Sequence, residues 1–214
     1  MKIFLDTADI DQIRKYRLII DGVTTNPSII AKTKTEYSFE DLIKEITKIV
    51  QGPISVEIMS LESSLMVEEA KQISRISQDI VIKVPMTMEG LKATKQLSQM
   101  DIKTNVTLIF SANQALLAAN CGATFVSVFV GRLDDIGHSG IEVVRDTVDI
   151  FTRHNYPTQV ITASVRNPMH VLSAAKVGSH VATIPPTVIE LMCKHNLTDA
   201  GLEIFLNDWK GVKP

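Results

Sequence analysis

The chain has 214 residues, 45% of them apolar, with a net charge of −2 and a sequence pI near 6.2. Length and even composition fit one domain with a sizeable core. The near-neutral charge gives no reason to expect nucleic acid or an anionic membrane as partner, while a locally basic pocket for a small anion stays open.

The amino terminus, Met1-Lys2-Ile3-Phe4-Leu5-Asp6, enters a strand at once and lacks the pattern of a signal peptide. Short β-branched runs then alternate with longer stretches of helical period. Strands are predicted at residues 3–5, 22–25, 54–58, 80–84, 104–108, 125–130, 159–162 and 181–184. Helical period is read at residues 39–50, 64–76, 89–100, 112–120, 141–154 and 168–176. In the first of these, Phe39, Leu42, Ile43, Ile46, Ile49 and Val50 form the apolar stripe. Pro27 and Pro168 suit first turns, and Gly122 and Gly178 stand just past helix ends. No apolar run approaches the roughly 20 residues of a membrane helix. Cys121 and Cys193 lie outside any CxxC or metal spacing, so a soluble cytoplasmic protein with two reduced, buried thiols is expected.

Strict β–α alternation implies a parallel sheet with helical crossovers. Eight such units predict an α/β fold, a single-domain (β/α)8 TIM barrel over residues 1–196. Barrels usually run to about 250 residues and about 200 is near the floor, so short loops are expected. No G-x-G-x-x-G follows the first strand, and an open doubly wound sheet is the structural alternative. Residues 197–214 are left over as an extra C-terminal helix, with Leu202, Phe205, Leu206 and Trp209 at i, i+3, i+4 and i+7. Docking on its own barrel is the simpler expectation. Packing on a neighbouring subunit is the alternative.

Within the fourth strand, Ile80-Val81-Ile82-Lys83-Val84 closed by Pro85, a lysine interrupts a run that should be buried on both faces. Burial favours a neutral amine, and a neutral amine is a nucleophile toward carbonyl carbon. A lysine stem with its head in water is the plainer reading of that run alone. Barrel catalysts stand at the carboxyl-terminal ends of strands. Those ends hold Asp6, Thr25 with Asn26, Glu57, Lys83, Asn105 with Thr107, Ser127, and Ser164 with Arg166.

Singly, each has an ordinary explanation: Asn26 as a helix cap, Ser164 as a partner for backbone. Glu57 is harder to dismiss, because Ser55-Val56-Glu57-Ile58-Met59 is apolar around it and a buried carboxylate must be paired or protonated. Asp6, Glu57 and Lys83 would converge in one closed barrel, as a catalytic set or as a structural ion-pair network. In the catalytic reading Lys83 attacks a carbonyl, the iminium draws electrons from the adjacent C–C bond, and the carboxylates move the protons. Arg132 after the sixth strand, with Ser164 and Arg166 after the seventh, suits a phosphate dianion, which suggests a sugar phosphate. No metal is suggested, since His138, His154, His170, His180 and His195 fall in no ligand spacing, and no G-x-S-x-G marks a serine hydrolase.

Four motifs in order, Thr24-Thr25-Asn26-Pro27-Ser28, Lys83-Val84-Pro85 with Gly90-Leu91, Asn105-Val106-Thr107-Leu108-Ile109-Phe110-Ser111 and Phe129-Val130-Gly131-Arg132-Leu133-Asp134-Asp135, resemble the transaldolase family. The likeness is to its short branch, which includes fructose 6-phosphate aldolase, and it runs to Asp208-Trp209. It implies a class I barrel enzyme without cofactor, Lys83 as Schiff-base residue and Asp6 as acid/base. Glu57 and Thr107 would handle the water of iminium chemistry. Asn26 and Asn105 would hold hydroxyls, Thr25, Ser127 and Phe129 would line the substrate site, and Arg132, Ser164 and Arg166 would take phosphate. A decamer of two pentameric rings is implied too, its C-terminal helix reaching a neighbour.

Aldolase members resemble one another in Gln at the place of Glu57 and Tyr at the place of Phe129, and Val128 stands here where the family commonly has Pro. The resemblance therefore implies transfer of a dihydroxyacetone unit from sedoheptulose 7-phosphate to glyceraldehyde 3-phosphate, in the pentose phosphate pathway. Fructose 6-phosphate aldolase activity and a non-catalytic sugar-phosphate-binding barrel are the alternatives.

Overall fold

Eight short strands, most of them rich in β-branched or aromatic residues, are joined by helices that carry one apolar face. The structure, a computed structural model, describes residues 1–33 and 36–212; the last two positions of the C-terminal segment, 213 and 214, lie outside the described residues. The first half runs β1 (Lys2–Asp6), α1 (Ile10–Tyr16), β2 (Gly22–Thr24), α2 (Pro27–Lys32), α3 (Phe39–Ile49), β3 (Ile54–Glu57), α4 (Ser63–Ser74), β4 (Ile80–Pro85) and α5 (Met88–Ser98). The second runs β5 (Thr104–Ile109), α6 (Ala112–Asn120), β6 (Phe125–Phe129), α7 (Val130–Asp135), α8 (Gly140–Arg153), β7 (Gln159–Ala163), α9 (Pro168–Lys176), β8 (Val181–Ile184), α10 (Pro186–Cys193) and α11 (Asn196–Trp209). All neighbouring strands pair in parallel, and β1 closes on β8, so the sheet is the expected (β/α)8 barrel.

Helix starts follow the side chains available to cap them. Ser38, Thr87, Ser111 and Asn167 each accept a backbone N–H from the first turn of α3, α5, α6 and α9. Gly122 and Gly178 end α6 and α9 at φ of 86° and 79°, a conformation that favours glycine.

Strand side chains alternate between two environments. One set, including Leu5, Val56, Ile82, Val106 and Val160, packs under the helices. The other faces the barrel axis, where Phe4, Val81, Phe125, Ile161 and Val181 form a separate apolar cluster. Phe4 and Phe125 meet edge to face, their centroids 6.1 Å apart. Gly22 supplies no side chain to this layer because a Cβ there would stand 2.8 Å from the Phe4 ring. This apolar layer fills the barrel beneath the carboxyl-terminal rim.

Three expectations are corrected. Strand β6 stops at Phe129, because Val130 opens the short helix α7, where strand and loop were expected. Helix α11 does not dock on its own barrel: none of its residues is buried, and Phe205 and Trp209 are both 71% exposed. The thiols are not both buried. Cys121 is half-buried, and Cys193 is exposed, because the chain overhangs the barrel from the last turns of α10 onward.

Candidate active site

One inward position above the apolar layer, the same strands turn polar. Strand β4 presents Lys83 two residues after Val81, which fixes it on the axial face. Pairing sets Glu57, Lys83 and Asn105 side by side on β3, β4 and β5. The lysine is 5% exposed. Its Nζ donates to the Thr25 carbonyl at 3.1 Å and lies 3.1 Å from Glu57 Oε2. The loop after Glu57 is tied to α4, where Glu69 accepts the N–H groups of Met59 and Ser60, both at 2.9 Å.

Asp6 ends β1 and accepts the Thr24 hydroxyl at 2.8 Å. Since Thr24 spends its one O–H there, Thr183 is the donor in the 2.5 Å contact between the two threonines. Burial pushes the Asp6 carboxyl up from its ordinary value, against the opposing pull of the Lys83 charge and the Thr24 hydrogen bond. A carboxyl so placed suits proton exchange.

Asn105 is fully buried, donating to Ser55 Oγ at 3.1 Å and accepting from Ser127 Oγ at 2.8 Å. Further along β5, Thr107 is buried with a hydroxyl that finds no hydrogen-bond partner among the described residues. Its neighbour Leu108 sits at φ 60°, where the β5–β6 register shifts between Val106 and Ile109. A bulky residue in that region is strained, and a bulge re-aims the side chains beside it.

A cavity of about 140 Å3 opens over Lys83. Asp6, Asn26, Lys83, Ser127, Phe129, Arg132 and Ser164 stand in its wall. Asn26 also caps α2, its side-chain oxygen accepting from the Ile29 N–H at 2.9 Å. The Phe129 ring meets Phe110 edge to face at 5.8 Å, with the Arg132 guanidinium 5.2 Å from its centroid. A larger open cavity, about 960 Å3, shares Asp6 with the inner one and is bounded by Asp9, Arg14 and Tyr37 among others.

Other predicted residues lie behind that wall. Glu57 backs the amine, and Thr107 and Asn105 sit in the polar layer around it. Thr25 turns its hydroxyl to the Ser55 carbonyl at 2.9 Å, so only its own carbonyl serves Lys83. Arg166 forks onto both carboxylate oxygens of Asp135 on α7 and is absent from the cavity wall. Sequence reasoning missed Thr24, Ala163 and Thr183, which do line the cavity. The period-2 alternation held the signal, since Thr183 stands two residues beyond the inward Val181.

Fold and site define a barrel enzyme whose buried lysine–carboxylate set lies at the rim where barrels carry their chemistry. The chain belongs to the Transaldolase/Fructose-6-phosphate aldolase family, whose profile matches residues 3–213. A probable transaldolase of Desulforudis audaxviator is 56% identical over 215 residues, covering 100% of this chain and 99% of that protein. One from Clostridium kluyveri is 57% identical over 214 residues, covering 99% of each. Among solved structures, a mandelate oxidase variant with a monooxide FMN adduct superposes with a TM-score of 0.60 at 14% identity, over 86% of this chain and 64% of that one. That likeness extends to the fold alone.

Proposed function

We propose that the protein is a class I transaldolase that moves a dihydroxyacetone unit from sedoheptulose 7-phosphate to glyceraldehyde 3-phosphate through a Schiff base on Lys83. The observation that carries this reading is the Lys83 amine, buried over an apolar floor, 3.1 Å from Glu57 and facing the cavity that Asp6 lines.

The chemistry follows from these positions. Glu57 takes the proton that the Lys83 ammonium sheds, and the freed lone pair attacks the ketose carbonyl. The carbinolamine hydroxyl leaves as water, with the proton returned through Glu57 and a water held by the unpartnered Thr107 hydroxyl. Asp6 removes the proton of the hydroxyl next to the scissile bond. The C–C bond breaks, its electron pair enters the iminium to give an enamine, and erythrose 4-phosphate leaves. The enamine carbon then attacks the aldehyde of glyceraldehyde 3-phosphate, and Asp6 returns the proton to the new alkoxide. Water releases fructose 6-phosphate and restores the amine. Arg132 and Ser164 hold the phosphate, with Asn26 and Ser127 against the sugar hydroxyls.

Phe129 supports transfer over simple cleavage. Its ring offers no hydroxyl to protonate the enamine, so the three-carbon unit waits for an aldehyde acceptor. The transaldolase names of the relatives support the same choice. The bare apolar stripe of α11 supports a homo-oligomer in which that helix packs on a neighbour, and two free cysteines suit a reducing cytoplasm.

Borohydride reduction in the presence of fructose 6-phosphate, followed by peptide mapping, should place a three-carbon adduct on Lys83; an adduct elsewhere, or none, refutes the reading. With erythrose 4-phosphate present, product analysis should give sedoheptulose 7-phosphate and little free dihydroxyacetone. Replacing Phe129 by Tyr should raise the free dihydroxyacetone, and an unchanged partition would sink the role given to that ring.

A further inference from the structure

Helix α7 and the turn between β7 and α9 are fastened together by groups that take no part in the chemistry above. The turn passes so close to α7 that a Cβ at Gly131 would collide with the Ser164 carbonyl and stand 2.8 Å from Arg166 Nε. Arg166 grips Asp135 at the far end of α7. His170, in the first turn of α9, spans the same gap. Its Nε2 lies 2.9 Å from Asp134 Oδ2, and its Nδ1 accepts the Arg166 backbone N–H at 3.3 Å. An acceptor at Nδ1 assigns the imidazole proton to Nε2, which makes Nε2 the donor to Asp134. The other Asp134 oxygen accepts the Gly140 N–H at 2.9 Å, where α8 begins.

Asp134 and His170 are absent from the wall of the inner cavity. Each is nevertheless tied to a segment that reaches it: Asp134 lies on α7 with Arg132, and His170 holds the Arg166 backbone just after Ser164. Arg132 precedes Asp134 by two positions on α7, a helix of six residues with no side-chain cap, too short to hold its own orientation. Ser164 precedes Arg166 by two positions and sits at φ 58°, which a residue with a side chain rarely adopts unless its surroundings impose it.

We propose that Asp134 and His170 are positioning residues of the anion subsite: their contact, with the Arg166–Asp135 fork beside it, sets Arg132 against Ser164 so that the pair selects phosphorylated over unphosphorylated substrates. This rests on the placement of phosphate at Arg132 and Ser164 proposed above.

The test measures inorganic phosphate affinity by phosphorus NMR, together with KM and kcat for glyceraldehyde 3-phosphate and for unphosphorylated glyceraldehyde as acceptors. His170→Ala should weaken phosphate binding, and raise the KM of the phosphorylated acceptor, by about five- to tenfold. kcat and the KM of glyceraldehyde should stay at wild-type values. Asp134→Ala should show the same selective loss, and the double variant should lose less than the product of the two single losses, since the two changes share one contact while each also removes one of its own. His170→Asn, whose side-chain oxygen can still accept the Arg166 N–H, should recover part of the loss. It also serves as the comparison if the alanine variant fails to fold.

Unchanged phosphate affinity in a folded variant, or equal losses on both acceptors, overturns the inference. A wild-type protein that binds no phosphate overturns it as well. A wild-type protein that binds phosphate but turns over no sugar phosphate refutes the transaldolase reading instead, and the phosphate affinities still decide the roles of Asp134 and His170.

Discussion

The barrel interior has two layers built from successive inward positions of the same strands, and they differ sharply in chemistry. Phe4, Val81, Phe125, Ile161 and Val181 make the lower layer. One inward position along, roughly 7 Å higher by the rise of a strand, stand Asp6, Lys83, Ser127, Ala163 and Thr183. The lower layer holds no charge and packs edge to face. In the upper one Lys83 has a carboxylate partner, and hydroxyls link Thr183, Thr24 and Asp6. The apolar floor matters to the proposed chemistry, because charges above it are poorly screened and burial lifts the Asp6 carboxyl. On the proposed mechanism, stability and reactivity fall to successive inward positions of one pattern, so that either should be changeable with limited damage to the other.

That division can be attacked from both sides. Lys83→Met should abolish the trapped adduct and lower turnover by at least about a thousandfold, while the circular dichroism of the fold survives; residual trapping at another lysine would contradict the assignment. Asp6→Asn should slow C–C cleavage by about a hundredfold to ten-thousandfold yet still yield the borohydride adduct with dihydroxyacetone, which needs no bond cleavage. In the lower layer, Phe125→Ala should cost about 3–5 kcal/mol of stability by denaturant titration, with trapping on Lys83 intact wherever the protein remains folded. Loss of trapping in the folded variant would show that the layers are not separable.

The smallest effect concerns pH. The Asp6 carboxyl is raised above its ordinary value of 3.8, so its charge opposes folding at neutral pH, and the opposition disappears once folded and unfolded carboxyls are both protonated. Asp6→Asn should therefore raise the melting temperature at pH 7, by an amount that shrinks on acidification and vanishes below about pH 4. A gain independent of pH would show that burial of the charge is not its cause.

Much of this is legible in the sequence alone. Each strand–helix unit has its own periodicity and punctuation, so eight of them could be counted, and Glu57, Lys83 and Asn105 could be placed at neighbouring strand ends. What escaped was whatever depends on what lies opposite. Thr24 and Thr183 read as ordinary β-formers, and only barrel closure puts their hydroxyls beside Asp6. Arg166 read as a phosphate ligand or one half of a surface ion pair, and nothing local shows that its partner is Asp135, 31 residues earlier. Six residues of α7 are too few to display a helical period. The stripe on α11 announced an apolar face without saying what covers it.

Strand β1 meets β8 from Lys2 opposite Val181 to Leu5 opposite Ile184, so the first and last parts of the sheet must find each other across nearly the entire polypeptide. A nascent chain that has not yet emitted residue 184 carries a sheet with two raw edges, each able to recruit a strand from another molecule. Pairing over such separations is slow to form. The pocket therefore gains the wall that carries Thr183 only once β8 has been made, and a chain cut short before it would be an open, sticky sheet in place of a closed barrel.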